Sequence, residues 1–173
     1  MRFLCAASAA HFLLFERVMN MEKNQIKFNN YKEQSKRLEK ALKYEFYVEA
    51  LAIEYAMIED RIQSIFKHSG FDVFDRNGVP FSIQRNINRL KTNKYFNEPN
   101  IRKKVPLELV CNIEDWKNRR NRIMHALMKA DFKSGEFREL AIEGNELKKA
   151  ISSKSLLIKR FNDKLKNEKE YYI

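Results

Sequence analysis

The segment RRNRIMHAL, residues 119–127, holds side chains that could do chemistry together. Arg120, Asn121 and His125 offer a cation, an amide and an imidazole on one short stretch of chain. An arginine stays charged at physiological pH and holds anions through its planar set of N–H donors. A histidine titrates near neutrality, so it can take or give a proton during a reaction. The combination predicts a site that binds an anion and moves a proton beside it.

The helical period separates the basic side chains of this segment. At about 100° per residue, Arg120 falls at the centre of an apolar stripe, where a leucine would be expected. Asn121 and His125 lie about 100° and about 140° from Arg120, on one flank of the stripe. Arg119 and Arg122 point elsewhere and are expected to be solvated. The residues of the stripe are Leu109, Ile113, Trp116, Ile123, Met124 and Leu127.

A structural explanation of the same residues stays open at this point. An arginine buried among apolar side chains costs several kcal/mol unless it is paired or hydrated. Glu54, Glu59 or Asp60 on a preceding helix could supply a pairing carboxylate, and we name Glu54 and Asp60 as candidate supporting residues. A histidine beside an apolar stripe is also often structural or merely exposed.

The elements that would position these residues are helices, and the predicted fold class is all-α. The chain has only four Gly and three Pro, which disfavours a fold of many short strands and turns. Apolar residues recur at three- and four-residue steps through most of its length. We predict a bundle of four or five helices. They cover residues 24–68 (as one helix or two), 82–91 with Ser82 as the N-cap, about 106–130 and about 136–169.

The length of 173 residues suits a single domain. We assign residues 21–173 to that domain and interpret residues 1–20 as a doubtful leader or a misassigned start, with Met19 or Met21 as the initiator. The apolar stretch 1–15 resembles a secretory signal, but it is too short to span a bilayer and no small-x-small cleavage site follows it. We therefore expect no membrane association.

The charge balance points to a polyanionic partner. The formal net charge is +11 and the pI is about 9.6, values that suit nucleic acid or an acidic membrane face. Cys5 and Cys111 fit neither a metal site nor a disulfide framework, so a reducing cytoplasm is the expected location. We expect no metal and no cofactor.

The residues Arg120-Asn121-Arg122-Ile123-Met124-His125 match a known motif. They fit the R-[NDH]-x3-H form of the R-x4-6-H motif of the HEPN superfamily, whose domains are helical bundles of about this length with the motif on a late helix. The helical context, with Trp116 before the motif, is also similar. The resemblance extends from about residue 25 to residue 170, and its specific part is the short motif.

The resemblance implies a metal-independent endoribonuclease, of the kind found among toxins, phage-defence or abortive-infection effectors and CRISPR nucleases. RNA supplies its own nucleophile, the 2′-OH, and the implied products carry a 2′,3′-cyclic phosphate and a 5′-OH. By resemblance, Arg120 would hold the scissile phosphate and His125 would act as general acid or base, while Asn121 would orient His125 or the phosphate by hydrogen bonding. One histidine per chain is half of an acid–base pair, and family members typically form homodimers whose two motifs face one cleft.

The chain departs from one subgroup of the family. Toxins encoded beside a nucleotidyltransferase antitoxin often carry Tyr two residues after the His, where this chain has Leu127. Regulation by AMP addition at such a Tyr is therefore in doubt, although a cognate antitoxin or defence partner remains an expectation.

A basic connection before the motif helix is the predicted RNA path. It mixes cations with aromatic rings that could stack on bases, although a solvated loop with two anchoring aromatics explains it equally well. The predicted RNA-binding residues are Lys94, Tyr95, Arg102, Lys103 and Lys104.

Two other functions compete with the nuclease. One is a HEPN-like module that holds RNA or a protein without cutting, and the other is a basic helical DNA-binding protein. The presence of both Arg120 and His125 favours catalysis, since a pure binder has no need of the histidine. No convincing short helix-turn-helix with a Gly turn supports DNA binding.

Overall fold

The computed structural model describes residues 3–92, 99–127 and 134–170, and within these ranges every regular element is a helix. The prediction of an all-α fold is confirmed. One β-bridge, between Phe74 and Pro80, lies outside the helices. The helices are α1 (Phe3–Lys43), α2 (Tyr47–His68), α3 (Ile83–Lys91), the short α4 (Pro99–Arg102), α5 (Leu107–Ala126) and α6 (Ser134–Glu170).

The chain divides into two compact units, Met1–Lys40 and Ala41–Ile173. The second unit holds α2 to α6 and all of the candidate site residues that the structure describes. Helix α1 runs without interruption through the predicted boundary between residues 20 and 21. That boundary stays a prediction.

Helix α1 ends in a backbone turn at Glu45. This residue has a φ of 63°, in the left-handed region that glycine usually occupies at helix C-termini. The Phe46 N–H donates to the Ala41 carbonyl at 2.8 Å and the Glu45 N–H donates to the Leu42 carbonyl at 3.5 Å. These two bonds give the last carbonyls of α1 partners, so the chain ends one helix and starts the next without a Gly or Pro.

The core of the second unit is built on α2, whose most extensive packing is against α6. Apolar residues at helical spacing give α2 a continuous buried face, because side chains three and four positions apart share one side of a helix. Helices α3 and α5 cover the rest of that face. The main buried residues are Leu51, Ile58, Ile62, Ile65 and Phe66 of α2, Val110, Ile113, Trp116 and Ile123 of α5, and Leu140, Ala141, Leu147, Ile151 and Ile158 of α6.

Helix α6 packs closely against its neighbours at Gly144. A Cβ built on Gly144 would overlap Glu54 Oε2 and would lie 2.7 and 2.8 Å from two ring atoms of Trp116. The indole of Trp116 donates through Nε1 to the Leu140 carbonyl at 2.9 Å, which holds the ring against α6. A glycine in mid-helix costs about 1 kcal/mol relative to alanine, and here it permits this close packing.

Helix α3 begins where the sequence predicts. Ser82 is its N-cap, and the Ser82 hydroxyl oxygen accepts from the Arg85 N–H at 3.3 Å. Ile83, Ile87 and Leu90 are buried, so the amphipathic pattern is confirmed. The loop before α3 turns at Gly78, whose φ of 75° requires the conformational freedom of glycine.

The connection between α3 and α5 differs from the prediction. Helix α4 lies within it, and Ile101 and Val105 are both fully buried. The Val105 N–H donates to the Ile101 carbonyl at 2.8 Å, which closes a turn around the two apolar anchors. Part of the predicted basic connection is therefore core rather than solvated surface. None of the helices in the described ranges has a stretch long and apolar enough to cross a bilayer.

Candidate functional site

Arg120 lies half-buried on α5, beside the ring of Tyr55 from α2. Its Cζ is 4.7 Å from the centroid of the Tyr55 ring, a cation–π arrangement. Its Nη1 donates to Asn121 Oδ1 at 3.2 Å, while Nε is covered and has no hydrogen-bond partner among the described residues. The guanidinium is thus held by a ring face and turned toward the flank of the helix that carries Asn121.

Burial shifts the pKa values of this contact in opposite directions. Loss of solvent lowers the pKa of Arg120, and the neighbouring Tyr55 acts to raise it. The pKa of Tyr55 is raised by burial and by Glu59, against the opposing effect of Arg120. An arginine nevertheless stays protonated in a protein. The site therefore holds a partly desolvated positive charge, which an incoming anion would stabilise.

None of the carboxylates considered as partners of Arg120 forms an ion pair with it. In the described part of the chain, no ion pair joins Arg120 to Glu54, Glu59 or Asp60. Asp60 pairs with Arg61 next to it. Glu59 Oε1 accepts from the Ile83 N–H at 2.8 Å, at the start of α3. The internal ion pair that would have explained Arg120 as purely structural is therefore absent from these residues.

Glu54 is fully buried, and its environment keeps it neutral. Neither of its carboxyl oxygens has a hydrogen-bond partner among the described residues. Loss of solvent raises its pKa from 4.5 to about 9, against the opposing effect of Lys148. At neutral pH Glu54 is therefore protonated and cannot act as a counter-charge. No contact among the described residues supports the prediction that Glu54 is a supporting carboxylate of the site.

His125 and Asn121 lie on the same flank of α5, one turn apart. His125 is exposed in the last turn of the helix, and Asn121 is half-buried. The imidazole has no hydrogen bond, ion pair or ring contact with any described residue. Arg120 and His125 are separated by about 7.5 Å along the helix axis, from the rise of 1.5 Å per residue. One chain therefore presents an anchored cation and a free imidazole on adjoining faces.

The two remaining arginines of the segment behave differently from each other. Arg122 is exposed, as expected. Arg119 contradicts the expectation of a solvated charge, since it forms an ion pair with Glu143 of α6 and another with Asp115, where Nε and Oδ2 are 3.2 Å apart. These carboxylates raise the pKa of Arg119. Its role is to join α5 to α6, and the helical period of α5 alone could not reveal a partner on another helix.

The structure describes three of the five predicted RNA-binding residues. Lys94 and Tyr95 lie outside the described residues. Arg102 and Lys103 are exposed. Lys104 turns inward, with its Nζ covered and 3.4 Å from the centroid of the Phe161 ring, and burial lowers its pKa. This differs from the expectation that Lys104 faces RNA.

Tyr55 is the site residue that sequence reasoning missed. Its position in the apolar stripe of α2 indicates a core residue, yet it is half-buried and its ring supports Arg120. The available signal was its polar hydroxyl at the edge of that stripe, since a buried Tyr needs a partner for its O–H. Pairing it with Arg120 requires the packing of α2 on α5, which the sequence does not specify.

Comparison with protein-family models, with curated proteins and with solved structures finds no match to this chain. The HEPN resemblance therefore depends on the motif at residues 120–125 and on its helical context. Among the described residues, no group of three or more His, Cys, Asp or Glu side chains could hold a metal ion.

Proposed function

We propose that this chain is a HEPN-type endoribonuclease that cleaves RNA without a metal ion and acts as a homodimer. The observation that carries the proposal is Arg120. It is a half-buried cation with no carboxylate partner among the described residues, it is anchored on Tyr55, and it points toward the flank that carries His125. An anion such as a phosphodiester would supply the missing counter-charge.

The proposed reaction uses the RNA's own 2′-OH as nucleophile. Its oxygen attacks the adjacent phosphorus and forms the 2′,3′-cyclic phosphate, while the bond from phosphorus to O5′ breaks. His125 of one copy takes the proton of the 2′-OH, and the same residue of the second copy gives a proton to the leaving O5′. Arg120 stabilises the charge that builds up on the phosphoryl oxygens, and Asn121 positions the guanidinium through its bond to Nη1.

The proposed homodimer follows from the need for both a general acid and a general base. One chain offers one histidine at the motif, and a twofold axis brings a second one to the same cleft. We extend the proposal to the biological setting that the resemblance implies, a toxin or phage-defence effector of the cytoplasm restrained by a cognate antitoxin or defence partner.

One observation favours a second candidate, a HEPN-like module that binds RNA or a protein without cutting it. No described residue orients the imidazole of His125, whereas a general base is usually held by a neighbouring group. In the nuclease, that orienting contact would have to come from the substrate or from the second copy.

The test is cleavage of labelled single-stranded RNA in EDTA by the wild type, Arg120→Ala, His125→Ala and the matched control Arg122→Ala. We expect a loss of roughly 10²-fold or more in the first two variants, the scale of a lost acid–base or charge-stabilising group. Arg122→Ala should stay within about twofold, because Arg122 is exposed and shares no contact with the site. DNA of the same sequence should remain intact, since it lacks the 2′-OH.

Binding of RNA without cleavage, unchanged by His125→Ala, would overturn the nuclease in favour of the binding module. Cleavage that survives both site variants at the wild-type rate would show that a contaminant or another site is responsible.

A further inference from the structure

A row of arginines stacked on aromatic rings extends from the candidate site along α2. Arg85 Cζ lies 3.8 Å from the centroid of the Phe81 ring. Arg89 Cζ lies 4.0 Å from the centroid of the Phe66 ring and 4.9 Å from that of Phe81. With Arg120 on Tyr55, three guanidinium groups therefore rest on rings of α2 and of the loop just before α3.

Contacts with α2 set the order of this row. Tyr55 of α2 holds Arg120, Glu59 one turn later binds the first N–H of α3, and Gln63 donates to the Phe81 carbonyl at 3.3 Å. Phe66, at the far end, holds Arg89. Eleven residues separate the first ring from the last, which corresponds to about 16 Å of helix. The three guanidinium groups are thus spread along the length of α2 and are not gathered at one point.

Two of the three arginines, Arg85 and Arg120, have no carboxylate partner among the described residues, while Arg89 donates through Nη1 to Asn86 Oδ1 at 3.1 Å. Arg85 is also exposed. Glu59 of α2 accepts from the Ile83 N–H at the start of α3, and its charge also acts on Tyr55. Glu114, on the other side of α3, accepts from Lys91 at 2.6 Å and from Gln84 at 2.9 Å, so its charge is neutralised locally.

Stacking on a ring orients an arginine side chain for phosphate binding and does not neutralise its charge. A guanidinium over a ring face is attracted by the ring quadrupole, yet its N–H edges remain directed outward. The spacing of the N–H groups on one edge matches that of two phosphoryl oxygens. Because the ring already limits the arginine to few rotamers, less conformational entropy is lost when phosphate binds. A line of such groups suits a linear polyanion better than a compact one.

We propose that Arg85, Arg89 and Arg120 form a binding track for the backbone of single-stranded RNA, with Arg120 at the cleavage end. This inference rests on the proposed RNA substrate and adds the surface along which the strand runs. A flexible single strand can follow the side of α2, and its phosphates would meet the stacked guanidinium groups in turn. Neither Arg85 nor Arg89, which both belong to α3, is among the RNA-binding residues that the sequence predicts.

The competing occupant is an anionic membrane surface. Phe74 and Val79, in the loop before α3, are more than half exposed and could insert into lipid. The rings within the track are different, because Phe66 is fully buried and Phe81 is 8% exposed. They support cations and offer no apolar surface of their own, which favours the nucleic acid.

The test measures binding of a 2′-O-methyl single-stranded RNA by fluorescence anisotropy over a series of salt concentrations. This probe lacks the attacking hydroxyl, so the wild type binds it without cutting. The variants are Arg85→Gln and Arg85→Glu, and the charge-matched control is Arg138→Glu, at an exposed arginine of α6. Circular dichroism of each variant checks that the helices are intact.

We expect Arg85→Gln to reduce the slope of log K against log salt by about 0.7, the value of one phosphate contact on a single strand. Arg85→Glu should weaken binding by about tenfold or more at low salt, whereas Arg138→Glu should change it less than about threefold. Equal losses in Arg85→Glu and Arg138→Glu, or no loss in either Arg85 variant, would overturn the track. So would binding to phosphatidylserine vesicles that depends on Arg85 while RNA binding does not.

The same measurements separate this inference from the proposed function. RNA binding that depends on Arg85, without cleavage of natural RNA, would refute the nuclease and leave the track standing. Cleavage that depends on Arg120 and His125, together with RNA binding unaffected at Arg85, would refute the track alone. A wild type that fails to bind RNA refutes both.

Discussion

Arg120 and Glu54 are oppositely charged residue types in the same core region, yet no ion pair joins them. Burial affects each one separately. Arg120 keeps its charge and rests on Tyr55, whereas Glu54 becomes a neutral acid, because loss of solvent raises its pKa to about 9. A neutral Glu54 cannot satisfy the guanidinium. Arg120 therefore has no carboxylate partner among the described residues, and the phosphate of the proposed RNA substrate could pair with it.

Substitution of Glu54 by Gln tests the protonation of this side chain. The pKa of Glu54 is about 9 in the folded protein and 4.5 as its ordinary value, so between these values the folded state binds one more proton. Stability contributed by this group is therefore greatest below about pH 4.5 and falls as pH rises toward 9, by up to about 1.4 kcal/mol per pH unit. Glutamine mimics the neutral acid and lacks this dependence.

We expect urea unfolding at pH 6, 7 and 8 to show that the advantage of Glu54→Gln over the wild type grows with pH. The exposed Glu139 of α6 provides the control, and Glu139→Gln should leave the pH dependence unchanged. Parallel stability curves for the wild type and Glu54→Gln would mean that Glu54 is ionised in the folded protein.

The sequence predicts three residues of the candidate site, but it does not predict the residues that surround them. The helical period singles out Arg120, and the motif adds Asn121 and His125. The support from Tyr55 and the ion pair between Arg119 and Glu143 depend on which helices pack together. A periodicity calculation describes one helix at a time, so it finds an anomalous residue but not its tertiary partner.

At the level of elements, the helices were predictable where a local signal marks their ends. Ser82 caps α3, and α5 begins directly after Pro106, both by rules of local backbone chemistry. The end of α1 has no such signal, because its turn places a glutamate in the left-handed region. Helix α4 was not predicted, because its four residues form about one turn and are too few to show a helical period.

Replacement of Glu45 by Gly should stabilise the turn between α1 and α2. Residues with a Cβ pay about 1 kcal/mol for a left-handed conformation that glycine adopts freely. We expect the free energy of unfolding to rise by about 0.5–1 kcal/mol, with a Tm increase of roughly 2–4 °C. Thermal unfolding followed by circular dichroism measures the change.

Two matched substitutions control for composition. Glu45→Ala keeps the Cβ and should give no comparable gain, while Glu139→Gly makes the same chemical change within helix α6 and should cost about 1 kcal/mol. A destabilised Glu45→Gly protein would indicate that residue 45 does not adopt the left-handed conformation in solution.

At the level of the whole molecule, the chain carries an excess of positive charge and only half of the proposed catalytic pair. The net charge of +11 would attract a polyanion such as the proposed RNA over a distance comparable to the Debye length, about 8 Å at physiological salt. The arginine track orders part of that charge along one helix. His125 is exposed and contacts no described residue through a hydrogen bond or ion pair, so the proposed reaction would need the histidine of a second copy.

The dependence on a second copy predicts that cleavage activity per chain falls on dilution. If one active cleft needs two chains, specific activity should fall steeply once the protein concentration drops below the dimer dissociation constant. The experiment compares initial cleavage rates across a dilution series with the fraction of dimer from sedimentation. Constant specific activity in samples that sediment as monomers would contradict the shared cleft.

Gly144 has a consequence for how such a chain can evolve. Because a Cβ there would overlap Glu54 and the Trp116 ring, positions 54, 116 and 144 form one constraint, although long stretches of sequence separate them. A descendant could accept alanine at position 144 only together with a smaller residue facing it, or after α6 moved outward. Changes at these positions would therefore be inherited together, and this linked triple offers a means of finding distant relatives whose overall sequences no longer align.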